Sequence, residues 1–456
     1  MPQSPSKVSP RLTFSALAIA VVGFAVQQTA IVPAIHDVEE SLRASQAWSA
    51  WLVTVYLMIA TVATPALGRL AELYGERKML LIGLAIFMVS SIGAALSPNI
   101  AVLLIFRAIQ GIGGAVYPLA LALARAHLPQ AHQTRALSFL AAAFGAGTGM
   151  GFVVGGVLAQ YASWRLIFAL GALLVAAAML AILRWIAETK HSPHGGYDTV
   201  GTVMLATAAI TLLAGLTLST SSGWSSPITL GLHVVAVVAA VCWTWHERRA
   251  PRPLIDLRIF RERTVVVANL ATIGLGWALF SSYLLIPKFA RAADNGYGLN
   301  LQSAAIGLLM LVLAIGQTTM SSVAGLVNVP PWLSFSTGLV VAAAGLVMLA
   351  YVPNSLIGVI CAFLLFGLGV GMAMQSSSAT ATQGVEASIA AESSSVNSTV
   401  RRLAGGIGGQ TSTLVLGAMT LTSGATSFVA FRTSYLIAAG MCLLGAVALA
   451  VGHRRR

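Results

Sequence analysis

Apolar residues run through this chain in long unbroken stretches. They do not alternate as in a half-buried strand, nor fall every third or fourth position as in a surface helix. Fourteen runs are read, at about 12–35, 47–68, 79–97, 100–123, 135–160, 165–186, 200–219, 228–246, 265–287, 303–325, 332–351, 355–376, 396–420 and 433–451. About 20 apolar residues in a helix cross the hydrocarbon core of a bilayer. Spanning strands would alternate, so a membrane barrel is excluded. The pattern predicts an all-α polytopic membrane protein with 14 transmembrane helices.

The connections between runs test that count. One side takes Lys7 and Arg11, then Arg69, Arg77 and Lys78, then Arg125 and Arg135, then Arg184 and Lys190. It continues with the loop "HERRAPRPLIDLRIFRER", which carries Arg248, Arg249, Arg252, Arg258, Arg261 and Arg263. Arg401 and Arg402, read as preceding the thirteenth run, and the terminal Arg454, Arg455 and Arg456 complete it at 20. The other side has five: Arg43, Arg165, Lys288, Arg291 and Arg432. Basic residues collect on the cytoplasmic side, so both termini are expected there.

Composition narrows the class. Only 9% of the 456 residues are charged and 57% are hydrophobic, where a soluble domain carries about 25% charged residues. A soluble enzyme, a disordered chain and a disulfide scaffold are excluded. The net charge of +13 is accounted for by the basic loops rather than by nucleic acid. Cys242, Cys361 and Cys442 lie inside apolar runs, with no spacing for a disulfide framework or a metal. The first run is too long for the apolar region of a cleaved leader. Without a P-loop, an H-E-x-x-H or a G-x-S-x-G, no enzyme and no cofactor is expected. The natural cuts are "AETKHSPHGGYD" and the basic loop, which divide the chain 6+2+6. These are a six-helix bundle over 1–187, a two-helix insert with its loop over 188–263, and a second bundle over 264–456. "TPALGRL" and "SSVAGLV" form a faint repeat that pairs Gly68 with Gly325.

Four stretches carry chemistry. "GRLAELYGERK" follows the second run: Gly68 is read as ending the helix, and Glu72 as meeting the unpaired N–H groups of the next. "LLIFRAIQGIGGAVYP" places Arg107 inside an apolar run, where a charge must face protein or water, with Gln110 one turn on. "GAGTGMGFVVGGVLAQYASWRLIF" sets Gly147, Gly151 and Gly155 on one face for close helix approach, with Gly156 beside them. "VVGFAVQQTAIVPAI" interrupts the first run with Gln27 and Gln28.

These stretches resemble the major facilitator superfamily, and within it the fourteen-helix drug:proton antiporters. Gly68, Leu70, Ala71, Gly75, Arg77 and Lys78 match the signature G-x-L-A-D-r-x-G-r-k, with Glu72 in place of its Asp. "WLVTVYLMIA", "YDTVG", "RPLIDLRIF" and "VRRLAGGIGG" extend the resemblance over about residues 20–450. It implies a gate element at 68–78 and a role for Arg107 in proton coupling or substrate contact. Two positions depart. Phe152 stands where the antiporter signature has Pro, and Gln27 where the branch usually has an Asp. Glutamine cannot release a proton, but it can hydrogen-bond Arg107 or a substrate.

None of the 13 acidic residues falls inside a predicted run; His36 and Asp37, at the end of the first, come nearest. The resemblance implies an exporter of amphipathic organic compounds in the cell membrane, whose partners are the lipid bilayer, the small-molecule substrate and protons. Gln27, Gln28, Arg107 and Gln110 are the cavity candidates of the first half, and Asn269, Trp277, Tyr283 and Gln375 those of the second. One cavity arginine without a buried acid should favour neutral or anionic compounds. An uncoupled facilitator or anion exchanger using Arg107, and a non-transporting membrane sensor, stay open.

Overall fold

The computed structural model describes residues 10–454 except 129, 189–195, 252, 256, 293–296, 325–328, 353, 384–386 and 420–425, and within helices it leaves a few side chains undescribed, those of 130–132 and 387–392 among them. Gly325, Asp294 and Glu386 therefore lie outside the described residues, as does the side chain of Glu392.

Among the described residues the chain forms sixteen α-helices. The first eight are α1 Pro10–Ala30, α2 Ile35–Leu42, α3 Gln46–Tyr74, α4 Glu76–Ala95, α5 Ile100–Gly111, α6 Val116–His127, α7 Gln130–Tyr161 and α8 Arg165–Trp185. Then come α9 Thr199–Ser222, α10 Pro227–Glu247, α11 Arg263–Arg291, α12 Ser303–Ala324, α13 Pro331–Tyr351, α14 Leu356–Thr382, α15 Ala387–Ala418 and α16 Phe428–Arg454. A 3₁₀ segment, Ile112–Ala115, joins α5 to α6, and another, Leu257–Arg261, precedes α11. Thirteen stretches among the described residues are long and apolar enough to span a bilayer, α5 and α6 counting as one. The long helix outside that set is α15, which carries Asn397, Arg401, Arg402 and Gln410 along its length.

Three expectations are corrected. The first run is not one helix to residue 35: α1 stops at Ala30, a turn carrying Pro33 follows, and α2 starts at Ile35. Proline cannot donate to the helical ladder, so the chain re-enters with α2, which buries Ile35 and Val38. Gly68 does not end α3, which runs through it to Tyr74; the break is Gly75, at φ +100° and ψ 137°, a region open to glycine. Arg401 and Arg402 are not loop residues but lie inside α15.

The helices pack in two groups. α1 lies against α7 and α8, α4 against α5 and α8, and α3 against α5. On the other side α11 packs on α15 and α16, and α14 on α12 and α13. The groups meet along α7–α12 and α3–α15, with α2 reaching α11. α9 pairs with α10 and touches both α3 and α15. α10 leaves Val234, Val237, Val238 and Val241 exposed, as a helix facing lipid does.

Candidate functional site

Arg107, Gln110 and Gln27 belong to one internal network of the first group. Arg107 is 1% exposed. Its Nε donates to the Leu52 carbonyl at 2.9 Å and its Nη1 to Gln110 Oε1 at 2.8 Å, and its guanidinium lies 4.8 Å from the centre of the Tyr56 ring. Gln110 Nε2 and Gln27 Nε2 both donate to Ser91 Oγ, at 2.9 and 2.7 Å, and Ser91 donates to the Phe87 carbonyl at 2.6 Å. The Gln27 amide oxygen finds no donor among the described residues. A buried guanidinium with its donors on carbonyl oxygens ties α5 to α3. Gln27 and Gln110 are fully buried within the group, and Gln28 is half-buried.

The 68–78 stretch is held differently from its sequence reading. Glu72 pairs with Arg69 on its own helix and is 65% exposed. The start of α4 is taken instead by Glu188, whose Oε1 accepts from the Arg77 amide at 3.2 Å. Arg77 Nη2 donates to the Leu183 carbonyl at 3.1 Å, and Lys78 sits over the Tyr74 ring at 5.8 Å. A Cβ on Gly75 would stand 2.5 Å from Glu188 Oε1, so this glycine serves both the break and the cap. The stretch is thus fastened to the end of α8, within the first group.

The glycines of α7 divide between two neighbours. A Cβ on Gly147, Gly151 or Gly155 would press on α1 at Ala25, Thr29 and Ala30 respectively. On Gly156 it would lie 2.2 Å from the Ser303 carbonyl of α12, so this glycine faces the other group. Phe152 is fully buried and meets Tyr283 of α11 edge-on at 5.6 Å. Asn269 accepts from Asn397 at 3.4 Å, while Asn397 also donates to Thr272 at 2.7 Å. Trp277 is half-buried against Gly408. Gln375 is exposed on α14, so the structure does not bring it to the other candidates.

Contacts across the seam occur at two heights. At the rim formed by α2, Arg291 lies 3.7 Å from Asp37 and Lys288 lies 3.7 Å from Glu39. Ser303 donates to Asp37 at 2.5 Å, and His36 stands 3.6 Å from Glu39, which also accepts from Ser49. Burial alone would push the Glu39 carboxyl up; His36, the Lys288 ammonium and Ser49 outweigh it and hold it below its ordinary value. Nearer the middle, Arg402 of α15 donates to the Ala60 carbonyl at 3.2 Å, to the Thr64 hydroxyl, and to the Gly114 carbonyl at 3.3 Å. Pro118 has no N–H to offer Gly114, which leaves that carbonyl open to a donor from outside the helix. Gln410 Nε2 donates to Thr54 at 3.0 Å. The 20-to-five loop count had absorbed Arg401 and Arg402, and nothing local in the sequence pairs Asp37 with Arg291. Among the described residues no group of three or more His, Cys, Asp and Glu is placed to hold a metal.

Comparison with known proteins gives the same fold. The model described as Major Facilitator Superfamily matches residues 17–409. The tetracenomycin C resistance and export protein of Streptomyces glaucescens is 29% identical over 432 residues, 92% of this chain and 77% of that protein. The lincomycin resistance protein of Streptomyces lincolnensis is 29% identical, covering 70% of this chain and 69% of its own length. Among solved structures, a peptide transporter aligns with a TM-score of 0.74 over 100% of this chain and 96% of its own, at 14% identity. The human organic anion transporter MFSD10 aligns with a TM-score of 0.65 over 98% of this chain and 100% of its own, at 15% identity.

Proposed function

The chain belongs to the Major Facilitator Superfamily, and on that premise we propose that it exports amphipathic organic compounds by alternating access, coupled to protons. It is a multi-pass membrane protein. In this reading α15 brings the spans to fourteen and is the thirteenth in chain order, the bundles are residues 1–187 and 264–456, and 188–263 is an insert. Both termini and the basic loops face the cytoplasm, so the α2 rim faces outward. Kinship with resistance and export proteins supports the direction and the substrate type.

The observation that carries the reading is the seam. Its ion pairs at the rim and its hydrogen bonds at mid-depth are made by separate sets of side chains, so each set can break while the other holds. Rocking two bundles about a central site requires closures that alternate in this way. The α7–α12 line, where backbones touch at Gly156 and Gly307, gives the bundles a close surface to pivot on.

The acids with described side chains stand at helix ends or in connections, Asp37, Glu72, Glu76, Glu188, Asp198 and Glu247 among them. That distribution favours a second reading, an uncoupled facilitator or an anion exchanger. Arg107 does not serve the exchanger well, because its hydrogen bonds are made inside its own bundle.

One experiment separates these readings. Accumulation is measured in cells with and without the gene, over a panel that includes tetracenomycin C and lincomycin, before and after the pH gradient is collapsed. Proton-coupled export predicts lower accumulation that returns to the control level on collapse. Lower accumulation that survives collapse selects an exchanger driven by a counter-anion, and an unchanged level reached faster selects the uncoupled facilitator. Equal accumulation across the panel contradicts export.

A further inference from the structure

Arg401 and Arg402 stand in the middle of a long helix. Counted from Ala387, they are the fifteenth and sixteenth of the 32 residues of α15. The partners of Arg402 give the same depth. Gly114 is the fifteenth of the 28 residues Ile100–His127, and Ala60 the thirteenth of the 27 residues Trp48–Tyr74. Two guanidinium groups therefore lie at mid-membrane depth, on the face where one bundle meets the other.

Charges at that depth are costly and ordinarily find a counter-ion. Here the described residues supply none. The ion pairs lie at the α2 rim, at the end of α3 and between His246 and Asp198. Arg402 meets neutral oxygens only. Arg401 is half-buried, with its backbone against Gly276 of α11 and its charge near Tyr117 of α6. Along the same face of α15, Gly405 lies against the Phe280 ring and Gly408 against Trp277. Phe280 is buried in that packing and Trp277 is half-buried, so part of one aromatic ring adjoins uncompensated positive charge.

We propose that Arg401 and Arg402 form an anion-binding site in the seam, taking an organic anion whose carboxylate, sulfonate or phosphate group supplies the missing counter-charge. This deepens the transporter reading and rests on it. Arg401 is the direct ligand, since its guanidinium is not committed elsewhere among the described residues. Its planar fork suits the paired oxygens of such groups. The half-buried ring of Trp277 receives the organic body. Arg402 supplies the second positive charge. When it turns toward the anion it leaves the carbonyls of Ala60 and Gly114, and α15 is released from α3. Occupancy then favours opening, because the anion interacts differently with the closed and open seams.

The test is equilibrium binding to the purified full-length protein in a neutral detergent. The probes are naphthalene-1-sulfonate and N,N,N-trimethyl-1-naphthylammonium, which share a ring system and carry opposite charges. Wild type, Arg401→Gln and Arg401→Lys are compared, and drug efflux is measured in cells making each. A partly desolvated charge should favour the anion by about tenfold or more in wild type. Arg401→Gln should erase that preference and Arg401→Lys keep most of it. A wild type that favours the cation, binds both alike or binds neither overturns the proposal, as does a glutamine variant that keeps the preference or loses both probes equally. Loss of efflux in wild-type cells with the anion preference intact contradicts the export reading alone.

Discussion

At the α2 rim two carboxylates of one bundle face two cations of the other; at mid-depth an arginine of one bundle faces only neutral oxygens of the other. Charge at the rim is matched within the protein, so that contact has what it needs to close and nothing left over for a ligand. Charge at mid-depth is unmatched among the described residues, so that contact closes the seam and leaves a charge for something negative to pair with. The same seam is thus sealed in one place and set in another. The difference lies in which side chains stand opposite each other across bundles, not in how polar either zone is.

The largest expected effect removes both zones together. Gly156→Leu puts a side chain where even an added Cβ would stand 2.2 Å from the Ser303 carbonyl. Overpacking of this kind costs about 1–3 kcal/mol, and more where backbone must move. A melting scan should show a clear loss of thermal stability, and an unchanged melting temperature would mean that α7 and α12 are not held this closely. Next, Arg402→Gln removes charged hydrogen bonds at mid-depth. A shift of roughly 2 kcal/mol, about thirtyfold in population, is expected toward the state open at the α3 and α15 ends. Faster alkylation of a cysteine placed at Gly68, one turn on along α3, where an added Cβ meets nothing within 4 Å, reports it.

The rim should respond less, because its charged groups keep some contact with water. Asp37→Asn should weaken closure there by about 1 kcal/mol, and exchanging Asp37 and Arg291 should recover part of it in a double-mutant cycle. Acid acts on the same zone. The Glu39 carboxyl is held below its ordinary 4.5 when the rim is closed. Its contribution is therefore complete above 4.5 and lost as pH falls through the lower value. Rim accessibility should stay level from pH 7 to 5 and rise only in stronger acid, and a rise between 7 and 6 would contradict this account of Glu39. The smallest effect belongs to Glu72→Gln. It loses an exposed pair with Arg69 worth at most about 0.5 kcal/mol. Glu188→Gln should cost more, since it weakens the cap on α4.

The two zones were unequally legible in the sequence. Long apolar runs gave the helices, because a lipid-facing helix needs apolar residues all round. The helix that lines the seam is legible as the run 396–420, but it starts at Ala387, in a polar stretch that carries no apolar signal, so Arg401 and Arg402 read as loop charge when they lie inside it. Gly68 and Gly75 are both glycines in one motif, and only the backbone shows which of them leaves the helix. Glu188 caps α4 from 111 residues away, beyond the reach of any local pattern. The α7 glycines stood out by spacing, but which helix each one faces depends on packing. Gln27, Arg107 and Gln110 were found as polar interruptions of apolar runs. Hydropathy could not tell an internal tie from a cavity wall.

The central claim, that the seam has two independent closures of different chemistry, is tested most directly by distances between spin labels. One pair sits at the α2 rim, on Ser45 and Asn300, and the other at the opposite end, on Tyr74 and Val323; all four positions are exposed. Arg402→Gln at pH 7 is predicted to lengthen the Tyr74–Val323 distance and leave the Ser45–Asn300 distance as it was, while strong acid on wild type should do the reverse. An Arg402→Gln protein with both distances unchanged, or an acid response that moves both pairs together, would contradict the account.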